Sequence, residues 1–510
     1  MTNIASQPKR VLIVGGGPVG LLTAYTLALY TDDSGAPLYN IDVFERRQDP
    51  RDKRHANDNW SFNIMLSARA TRALREAGVY ERILAKARPT GGLMISAASD
   101  DVREARSIPL NSVFGCEEEY ISIGRDALME GLLEVLEDLR KERGNNVKVT
   151  VHYETSCNKF RFEEKVVVVR KGEKDETFAY DFLVGSDGKC SIDQSPFSFN
   201  FNIWQLTHIC IFLAGAGSRV RKAMMKLDSK ITVSDAELGM ALKAFKVPFK
   251  AVQEHGLAVW PFASAKGETT APCYFFFCAD QLSSVALLPN NDSYSVALSI
   301  HPPMKWDDFE TLKDERDFIL KHYPRLGPML VKYAEPLFRV KPYQIVSANT
   351  SQFNLDGHPV MLIGDAAHAM PPTYGQGLNA SFQDVTLLNQ LLVSNSHSSF
   401  EQVAEAFSTT RKPSIDAITA LSWEAYQLWR SDRVAIALFL ISALKRAVLS
   451  RFPAVVQRAL WHEAYPSSLI YCSTIDYSLI KEIRDRTKLT DPLILLVLVA
   501  WLAWAVYRLF

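Results

Sequence analysis

The sequence predicts an α/β protein built around a Rossmann-like dinucleotide-binding domain. Two observations carry this prediction. An apolar strand, Val11 to Val14, runs directly into a glycine-rich turn and a helical pattern that continues to Leu29. A second apolar strand, Val360 to Ile363, delivers Gly364 and Asp365 at its tip much later in the chain. A length of 510 residues leaves room for a second domain and a C-terminal tail.

The glycine-rich turn has the spacing that a bound pyrophosphate requires. Gly15 makes the tight turn, Gly17 lets the backbone approach the ligand, and Gly20 lets the helix pack on the strand. The next predicted strand, Ile41 to Phe44, ends at Glu45, whose carboxylate is placed to bind the ribose hydroxyls of an adenosine. The predicted dinucleotide contacts are therefore Gly15, Gly17, Pro18, Val19, Gly20 and Glu45.

The run GDAAHAMPPTYGQGLNASFQD, from Gly364 to Asp384, predicts a flavin site. A Pro-Pro turn with two glycines leads into a helix that we expect to begin near Leu378. The free N–H groups and partial positive charge of a helix N-terminus suit the N1/C2 edge of an isoalloxazine ring, and Asp365 would accept hydrogen bonds from ribityl hydroxyls. FAD is therefore favoured over NAD as the bound dinucleotide. The predicted flavin contacts are Asp365, Pro372, Gly375, Gly377, Leu378 and Asn379.

Four blocks of the sequence resemble group A flavoprotein monooxygenases, and within that class the kynurenine 3-monooxygenases. They are VLIVGGGPVGLLTAYTLA, SFNIMLSARATRALREAGV, ISIGRDALMEGLL and LIGDAAHAMPPTYGQGLNASFQDVTLLNQLL. The resemblance implies a fold of the p-hydroxybenzoate hydroxylase type, with a substrate-binding β-sheet domain inserted between two parts of the FAD-binding domain. It also implies that Arg125 and the Asp187-Gly188 pair lie at the FAD, because the family has an arginine and a DG motif there.

The same resemblance implies the reaction. NAD(P)H, with NADPH favoured, would reduce the FAD, and O2 would add at the flavin C4a atom. The resulting hydroperoxide would deliver one oxygen atom to an electron-rich carbon of the substrate. Few acid–base residues are needed for this chemistry. His368, beside Asp365, is a candidate proton donor, but a structural role in capping the turn is favoured.

Positions that bind the amino-acid substrate in kynurenine 3-monooxygenases are apolar in this sequence. The family's carboxylate-binding arginine falls at Leu93, a tyrosine at Leu110 and an asparagine at Ala425. Tyr426 and Arg430 remain at matching positions. A substrate carboxylate would then be buried without its partner, which is costly. We therefore predict a lipophilic substrate in a pocket that includes Leu93, Leu110, Ala425 and Tyr426.

Four functions remain open on these residues. The preferred one is epoxidation of a polyketide polyene by a fungal secondary-metabolite branch of the family, with aromatic hydroxylation of a lipophilic compound close behind. Kynurenine 3-hydroxylation is the alternative substrate assignment. A membrane-anchored flavin-binding protein without turnover is an alternative from another class.

Residues 189–215 interrupt the DG motif. The family continues soon after DG with Ser-x-Val-Arg, and removing this segment would join the flanks into DGAGSRVR. Because the segment has no clear amphipathic period, we interpret it as a retained intron, with a genuine surface loop as the alternative. The predicted organisation is then FAD-binding residues 8–188 and 346–395, a substrate-binding sheet at 216–345 and a helical region at 396–489.

The C-terminal residues 490–510 form an almost uncharged apolar stretch that is long enough to cross a bilayer. A basic flank precedes it, at Lys481, Arg484, Arg486 and Lys488. We predict a single-pass tail anchor in the endoplasmic reticulum or mitochondrial outer membrane, with the catalytic part facing the cytosol. A buried terminal helix is the alternative.

Composition excludes other partner classes. The 57 basic side chains balance 57 acidic ones, which leaves no electrostatic footprint for nucleic acid. Seven scattered cysteines without a CxxC spacing predict neither a metal site nor a disulfide framework. The expected partners are a lipophilic small molecule and a membrane, with no obligate protein partner.

Overall fold

The computed structural model describes most of the chain. The described residues are 7–52, 62–96, 99–101, 106–109, 120–188, 217–257, 262–263, 269–338, 340–394, 399–429, 469–471 and 473–486. Four sequence predictions concern residues outside these ranges. They are the segment 189–215, Leu110, Arg430 and the tail 490–510.

Strands and helices are interspersed along the described part of the chain. The strands are β1 (Lys9–Val14), β2 (Tyr39–Phe44), β3 (Asn63–Leu66), β4 (Arg88–Thr90), β5 (Gly92–Ser96), β6 (Arg106–Pro109), β7 (Tyr120–Gly124), β8 (Lys148–His152), β9 (Thr155–Arg161), β10 (Val166–Lys171), β11 (Lys174–Ala179), β12 (Phe182–Gly185), β13 (Val233–Pro248), β14 (Phe262–Ala263), β15 (Thr269–Thr270), β16 (Cys273–Phe277), β17 (Ser283–Pro289), β18 (Ser293–Ile300), β19 (Tyr343–Thr350) and β20 (Val360–Leu362). The helices are α1 (Pro18–Ala28), α2 (Ala68–Glu76), α3 (Tyr80–Leu84), α4 (Arg125–Arg143), α5 (Arg219–Leu227), α6 (Phe249–Glu254), α7 (Leu312–His322), α8 (Gly327–Ala334), α9 (Asp365–His368), α10 (Gly377–Val393) and α11 (Phe400–Trp429). Residues 477–486 are also helical.

The first domain is built on a parallel sheet with the strand order β20-β12-β1-β2-β8. The central strand β1 is almost wholly apolar and buried after Arg10, as expected for a strand with both faces covered. Val14 of β1 pairs with Phe44 of β2 and with Gly185 of β12, and Gly185 pairs with Leu362 of β20. The carboxyl ends of four strands are therefore aligned at one edge of the sheet.

Helix α1 lies in the middle of this domain. Pro18 occupies its first turn, where a missing N–H costs nothing, and every residue of the helix except Val19 is buried. The helix packs against α4 and α10 as well as against β2. Its largely apolar composition is explained by this position, because almost all of the helix is buried.

The second domain is a mixed sheet with the order β19-β13-β18-β17-β16-β5-β6. Neighbouring strands are antiparallel except for β16 and β5, which run parallel. Helices α7 and α8 cover one face, where Tyr323 and Leu330 pack with Phe276 and Leu298 in a buried cluster. This is the β-sheet domain that the sequence predicted.

The domain borders differ from the predicted ones in three places. Strands β5 and β6 come from within residues 8–188 but belong to the second sheet, because β5 pairs with β16. Helix α5 packs its Val220 and Met224 into the core of the first domain rather than the second. Strand β19 continues through the predicted border at 345. Each difference arises from pairing or packing between segments that are distant in sequence.

A long helix follows the second part of the first domain. This helix, α11, contains Pro413 and extends to the end of the described range 399–429. Within the described ranges, no helix combines the length and the apolar character needed to cross a membrane. The prediction of a tail anchor concerns residues 490–510, which lie outside those ranges.

Candidate active site

The glycine-rich turn lies at the aligned strand ends and is closed against the end of β12. Gly15 has a φ of +109°, and a Cβ at this position would lie 2.6 Å from the carbonyl oxygen of Ser186. A Cβ at Gly20 would overlap the carbonyl oxygen of Gly15. The Ser186 hydroxyl donates to the carbonyl oxygens of Val14 and Gly15, at 3.1 and 2.9 Å. Side chains at the two glycines would therefore force the turn away from the sheet.

Glu45 follows β2 at the same edge and is 8% exposed. Its Oε2 accepts a hydrogen bond from the backbone N–H of Gly16 at 2.9 Å, and its Oε1 accepts one from the N–H of Arg47 at 2.9 Å. These bonds fix the carboxylate beside the turn. Each oxygen retains a lone pair with which it can accept a ribose hydroxyl.

Two arginines lie beside the turn. A Cβ added to Gly17 would lie 3.8 Å from Nη2 of Arg125, the first residue of α4. Loss of solvent around its guanidinium, followed by the like charge of Arg125, lowers the pKa of Arg47. The first turn of α1 carries no acidic residue, so its N-terminus adds to the positive potential. The sequence analysis missed Arg47.

Asp365 is an exposed residue among buried neighbours. Ala366, Ala367 and His368, which follow it in the short helix α9, are buried. The Asp365 carboxylate lies beside the start of α10, because a Cβ at Gly377 would be 3.9 Å from its Oδ1. A Cβ at Gly188 would be 3.1 Å from the Asp365 Cβ. The DG pair and the strand tip at Asp365 are therefore in contact.

The loop between α9 and α10 also lies close to Asp365. Pro372 begins a 3-10 turn that ends at Gly375, which has the left-handed φ of +61°. Helix α10 begins at Gly377, one residue before the predicted start at Leu378, which is half-buried. Gly364 contacts Val19 across this edge, since a Cβ on the glycine would lie 3.3 Å from the Val19 Cγ2.

The side chain of Asn379 is fully used within the protein. Its Oδ1 accepts from the backbone N–H of Ser67 at 2.8 Å, and its Nδ2 donates to the carbonyl oxygens of Met65 and Gly375 at 3.0 and 2.8 Å. This amide therefore joins the loop to the start of α2. A contact of Asn379 with a flavin would come from its backbone N–H.

His368 lies in a buried polar network rather than at the open edge. Its Nε2 is 2.6 Å from Oδ2 of Asp384, which also accepts the N–H of Gly364 at 2.9 Å. Arg411 of α11 donates from Nε to Oδ1 of Asp384 at 2.7 Å. Burial alone would raise the pKa of Asp384, but its interactions with His368 and Arg411 outweigh burial and the net shift is downward.

This network holds the loop from Gly364 in place and gives His368 a structural position. Sequence reasoning missed Asp384 and Arg411. The available signal was a single acidic residue within helix α10, but its partner on α11 follows only from tertiary packing.

Asp187 also holds structure together. Its Oδ1 accepts from the Ser218 hydroxyl and its Oδ2 from the Arg219 N–H, both at 2.5 Å. Burial raises the pKa of Asp187, and these hydrogen bonds oppose the shift. Asp187 of the DG motif therefore caps the N-terminus of α5, the helix that follows residues 189–216 in the sequence.

The predicted substrate-pocket residues fall into two separate clusters. Leu93 of β5 is buried against Tyr120 and Cys273. Ala425 is buried on α11, and the neighbouring Tyr426 donates from its hydroxyl to the Leu238 carbonyl oxygen at 2.6 Å. Leu110 and Arg430 lie outside the described residues. The described part of the chain therefore shows apolar surroundings at Leu93 and Ala425, without joining them in one pocket.

The described residues at the strand edge fit the parts of FAD. A diphosphate would meet an N-terminus free of acidic residues and two arginines, and the pKa of one of them, Arg47, is lowered by burial and then by the like charge of Arg125. An adenosine ribose would meet Glu45. The ribityl chain would meet Asp365, for whose carboxylate no hydrogen-bond donor is found among the described residues. The observed donors and acceptors are thus the ones that this cofactor requires.

Comparison with known proteins agrees with this geometry. The FAD binding domain family matches residues 9–203 and 213–422. Kynurenine 3-monooxygenase of Xanthomonas campestris pv. campestris (strain 8004) is 27% identical over 467 residues, which cover 88% of this chain and 85% of that protein. The Sus scrofa kynurenine 3-monooxygenase is 27% identical over 436 residues, covering 83% and 77%.

Solved structures show the same fold at lower identity. The tetrameric form of 2-methyl-3-hydroxypyridine-5-carboxylic acid oxygenase superposes with a TM-score of 0.60 at 17% identity, covering 84% of this chain and 94% of that one. PqsL of P. aeruginosa, in complex with 2-aminobenzoylacetate, superposes with a TM-score of 0.58 at 17% identity, covering 85% and 100%.

The alternative of a flavin protein without turnover receives no support from these similarities, because the relatives are enzymes. The chain belongs to the FAD binding domain family and is an FAD-dependent monooxygenase of group A that resembles kynurenine 3-monooxygenase.

Proposed function

We propose that this chain is an NAD(P)H-dependent hydroxylase that works in the manner of the kynurenine 3-monooxygenases. The observation that carries the proposal is the convergence of the glycine-rich turn, the DG pair and Asp365 at one sheet edge. Relatives that match along more than three quarters of their length carry that name.

FAD, when bound, supplies hydride acceptance from NAD(P)H and the activation of O2. The protein's own residues bind and orient. With FAD bound, Glu45 would accept the ribose hydroxyls, Arg125 and Arg47 would bind the diphosphate, and Asp365 would accept the ribityl hydroxyls. The N–H groups at the start of α10 would donate to the polar edge of the ring and stabilise negative charge there. His368 is occupied by Asp384, so we assign it no proton transfer.

Kynurenine is the first substrate to test, because the relatives described above are named for it. The similarities give no support to polyene epoxidation in secondary metabolism, so we do not propose that reaction. The second candidate is a lipophilic aromatic compound. It is favoured by Leu93 and Ala425, which present buried apolar groups where the resemblance implies polar partners for an amino acid.

The experiment uses purified full-length protein loaded with FAD. It is incubated with NADPH or NADH and either kynurenine or a set of apolar aromatic compounds, and products are identified by mass spectrometry. A product heavier than kynurenine by one oxygen atom supports the first candidate. Turnover of an apolar aromatic without turnover of kynurenine supports the second. A failure of every compound to accelerate NAD(P)H oxidation would contradict both.

We also propose that residues 490–510 anchor the chain in a membrane with the catalytic part on the cytosolic side. Support comes from the sequence, in which this segment is almost uncharged and follows a basic flank. Cells that express the full chain and a chain ending at residue 489 would be fractionated by centrifugation. The full chain should sediment with membranes and the shorter chain should not. Sedimentation of both would contradict the proposal.

A further inference from the structure

Residues 469–471 and 473–486 contact the loop between α9 and α10 directly. Tyr477, which is fully buried, donates from its hydroxyl to Oε1 of Gln376 at 2.8 Å. Gln376 lies between Gly375 and Gly377, at the start of α10, and is 1% exposed. A residue about one hundred positions further along the chain therefore holds the middle of the loop that would face the edge of the flavin ring.

The side chain of Gln376 links Tyr477 to the backbone of the loop. Its Nε2 donates to the carbonyl oxygen of Tyr374 at 3.1 Å, while its Oε1 is taken by Tyr477. Both ends of the amide are thereby fixed. Because Gln376 is buried, losing one partner would leave a polar group unsatisfied and would allow the neighbouring glycines to move.

Arg69 fixes Tyr477 from the other side. Its guanidinium carbon lies 3.8 Å from the centroid of the Tyr477 ring, and its Nη2 donates to the Ile475 carbonyl oxygen at 2.7 Å. Its Nε donates to the carbonyl oxygen of Ile470 at 3.3 Å. Arg69 is 1% exposed, so this cation–π contact and these hydrogen bonds form away from solvent.

These contacts connect three parts of the chain to one another: α2, the start of α10 and the segment that contains Tyr477. Arg69 lies in the first turn of α2, whose N-cap residue Ser67 donates its N–H to Asn379 of α10. Helix α10 begins directly after Gln376, and Gln376 is in turn hydrogen-bonded to Tyr477. A second aromatic contact reinforces it, since Tyr471 packs edge-on against Tyr374 at a centroid distance of 6.1 Å.

We propose that Tyr477 is a positioning residue for the flavin reaction, acting through Gln376 on the backbone of Gly375 and Gly377. Residues 473–486 would then set the placement of the N–H groups that would face the flavin ring. This inference rests on the proposed function, because it requires FAD at this edge.

The test compares two substitutions, each of which removes the hydroxyl group of a buried tyrosine. Tyr477→Phe removes the hydroxyl bonded to Gln376. Tyr323→Phe removes an equally buried hydroxyl, which is 2.9 Å from Ser283 Oγ in the second domain. Both full-length variants should lose similar thermal stability. Tyr477→Phe should also bind FAD about fivefold more weakly and shift the midpoint potential and visible circular dichroism of the bound flavin. Tyr323→Phe should leave all three flavin properties unchanged.

A second substitution addresses the same hydrogen bond from its other end. Gln376→Met should reproduce the changed potential and spectrum, and the double variant with Tyr477→Phe should be no further changed than Gln376→Met alone. Additive effects would overturn the proposal, as would a Tyr477→Phe enzyme with the wild-type potential and spectrum. A wild-type protein that binds no FAD would instead overturn the proposed function.

Discussion

The carboxylate of Asp187 accepts a hydrogen bond from the Ser218 hydroxyl at 2.5 Å, across 31 positions of sequence. The adjacent Arg219 N–H is bonded to the same carboxylate. The described residues on the two sides of 189–216 therefore meet at the N-terminus of α5. A short connection could therefore join the two sides without moving α5 away from Asp187.

Deletion of residues 189–215 should give a folded protein that binds FAD. The Asp187 cap and the packing of Val220 are formed by residues that the deletion leaves in place. FAD content per chain and the melting temperature of the purified deletion variant provide the measurement. Insoluble protein or empty protein would show that the segment is an integral part of the fold and would argue against a retained intron.

Asp365→Asn should weaken FAD binding. The substitution removes the negative charge that would accept the ribityl hydroxyls, at an expected cost of about 1.5–3 kcal/mol for a charged hydrogen bond. Equilibrium titration of the apoprotein with FAD measures this change. Asp33→Asn, at an exposed loop position, is the matched control and should bind like the wild type. Equal affinity in the two variants would remove Asp365 from the site.

Asp384→Asn should destabilise the protein and flatten its response to acid. The folded-state pKa of Asp384 is lowered, so its contribution to stability is present above the unfolded value of about 3.9 and is lost as the pH falls towards the folded value. Above that range, the substitution leaves Arg411 buried without its anion, which costs about 3–5 kcal/mol. Melting temperatures from pH 7 down to pH 3 measure both effects. A variant with the wild-type acid slope would contradict this assignment.

Lys243 and Glu315 form a buried ion pair in the second domain, with 2.9 Å between Nζ and Oε2. Burial lowers the pKa of Lys243 and raises the pKa of Glu315, against their mutual attraction. Lys243→Met alone should cost about 3–5 kcal/mol of unfolding free energy. Adding Glu315→Leu should restore most of it, because no charge then remains buried. FAD content should stay constant. Denaturant unfolding of the three proteins decides the matter, and a double variant less stable than Lys243→Met would contradict the account.

The flavin-binding edge could be predicted from the sequence because its signals are local. Apolar strands followed at once by glycines or acids, as at Val14–Gly15 and Leu362–Asp365, define the carboxyl ends of parallel strands. The contacts that hold this edge could not be predicted. Asp384 with Arg411 and Arg69 with Tyr477 join residues on different elements, and only tertiary packing brings them together.

The second domain shows the same difference between local signals, which the sequence reveals, and tertiary contacts, which it does not. A β-sheet domain was implied by the resemblance to group A monooxygenases, but the membership of β5 in this sheet could not be predicted. Leu93 reaches that sheet because β5 pairs with β16, far along the chain. Its apolar character was evident in the sequence, whereas its packing against Tyr120 and Cys273 was not.

The central claim is that FAD bound at this edge accepts hydride from NAD(P)H. Anaerobic mixing of the FAD-loaded full-length protein with NADPH or NADH, followed through the visible flavin absorbance, tests it most directly. We predict that the oxidised flavin band disappears, faster in the presence of substrate, and returns when oxygen is admitted. A bound flavin that stays oxidised with both nicotinamides and with every substrate candidate would contradict the account.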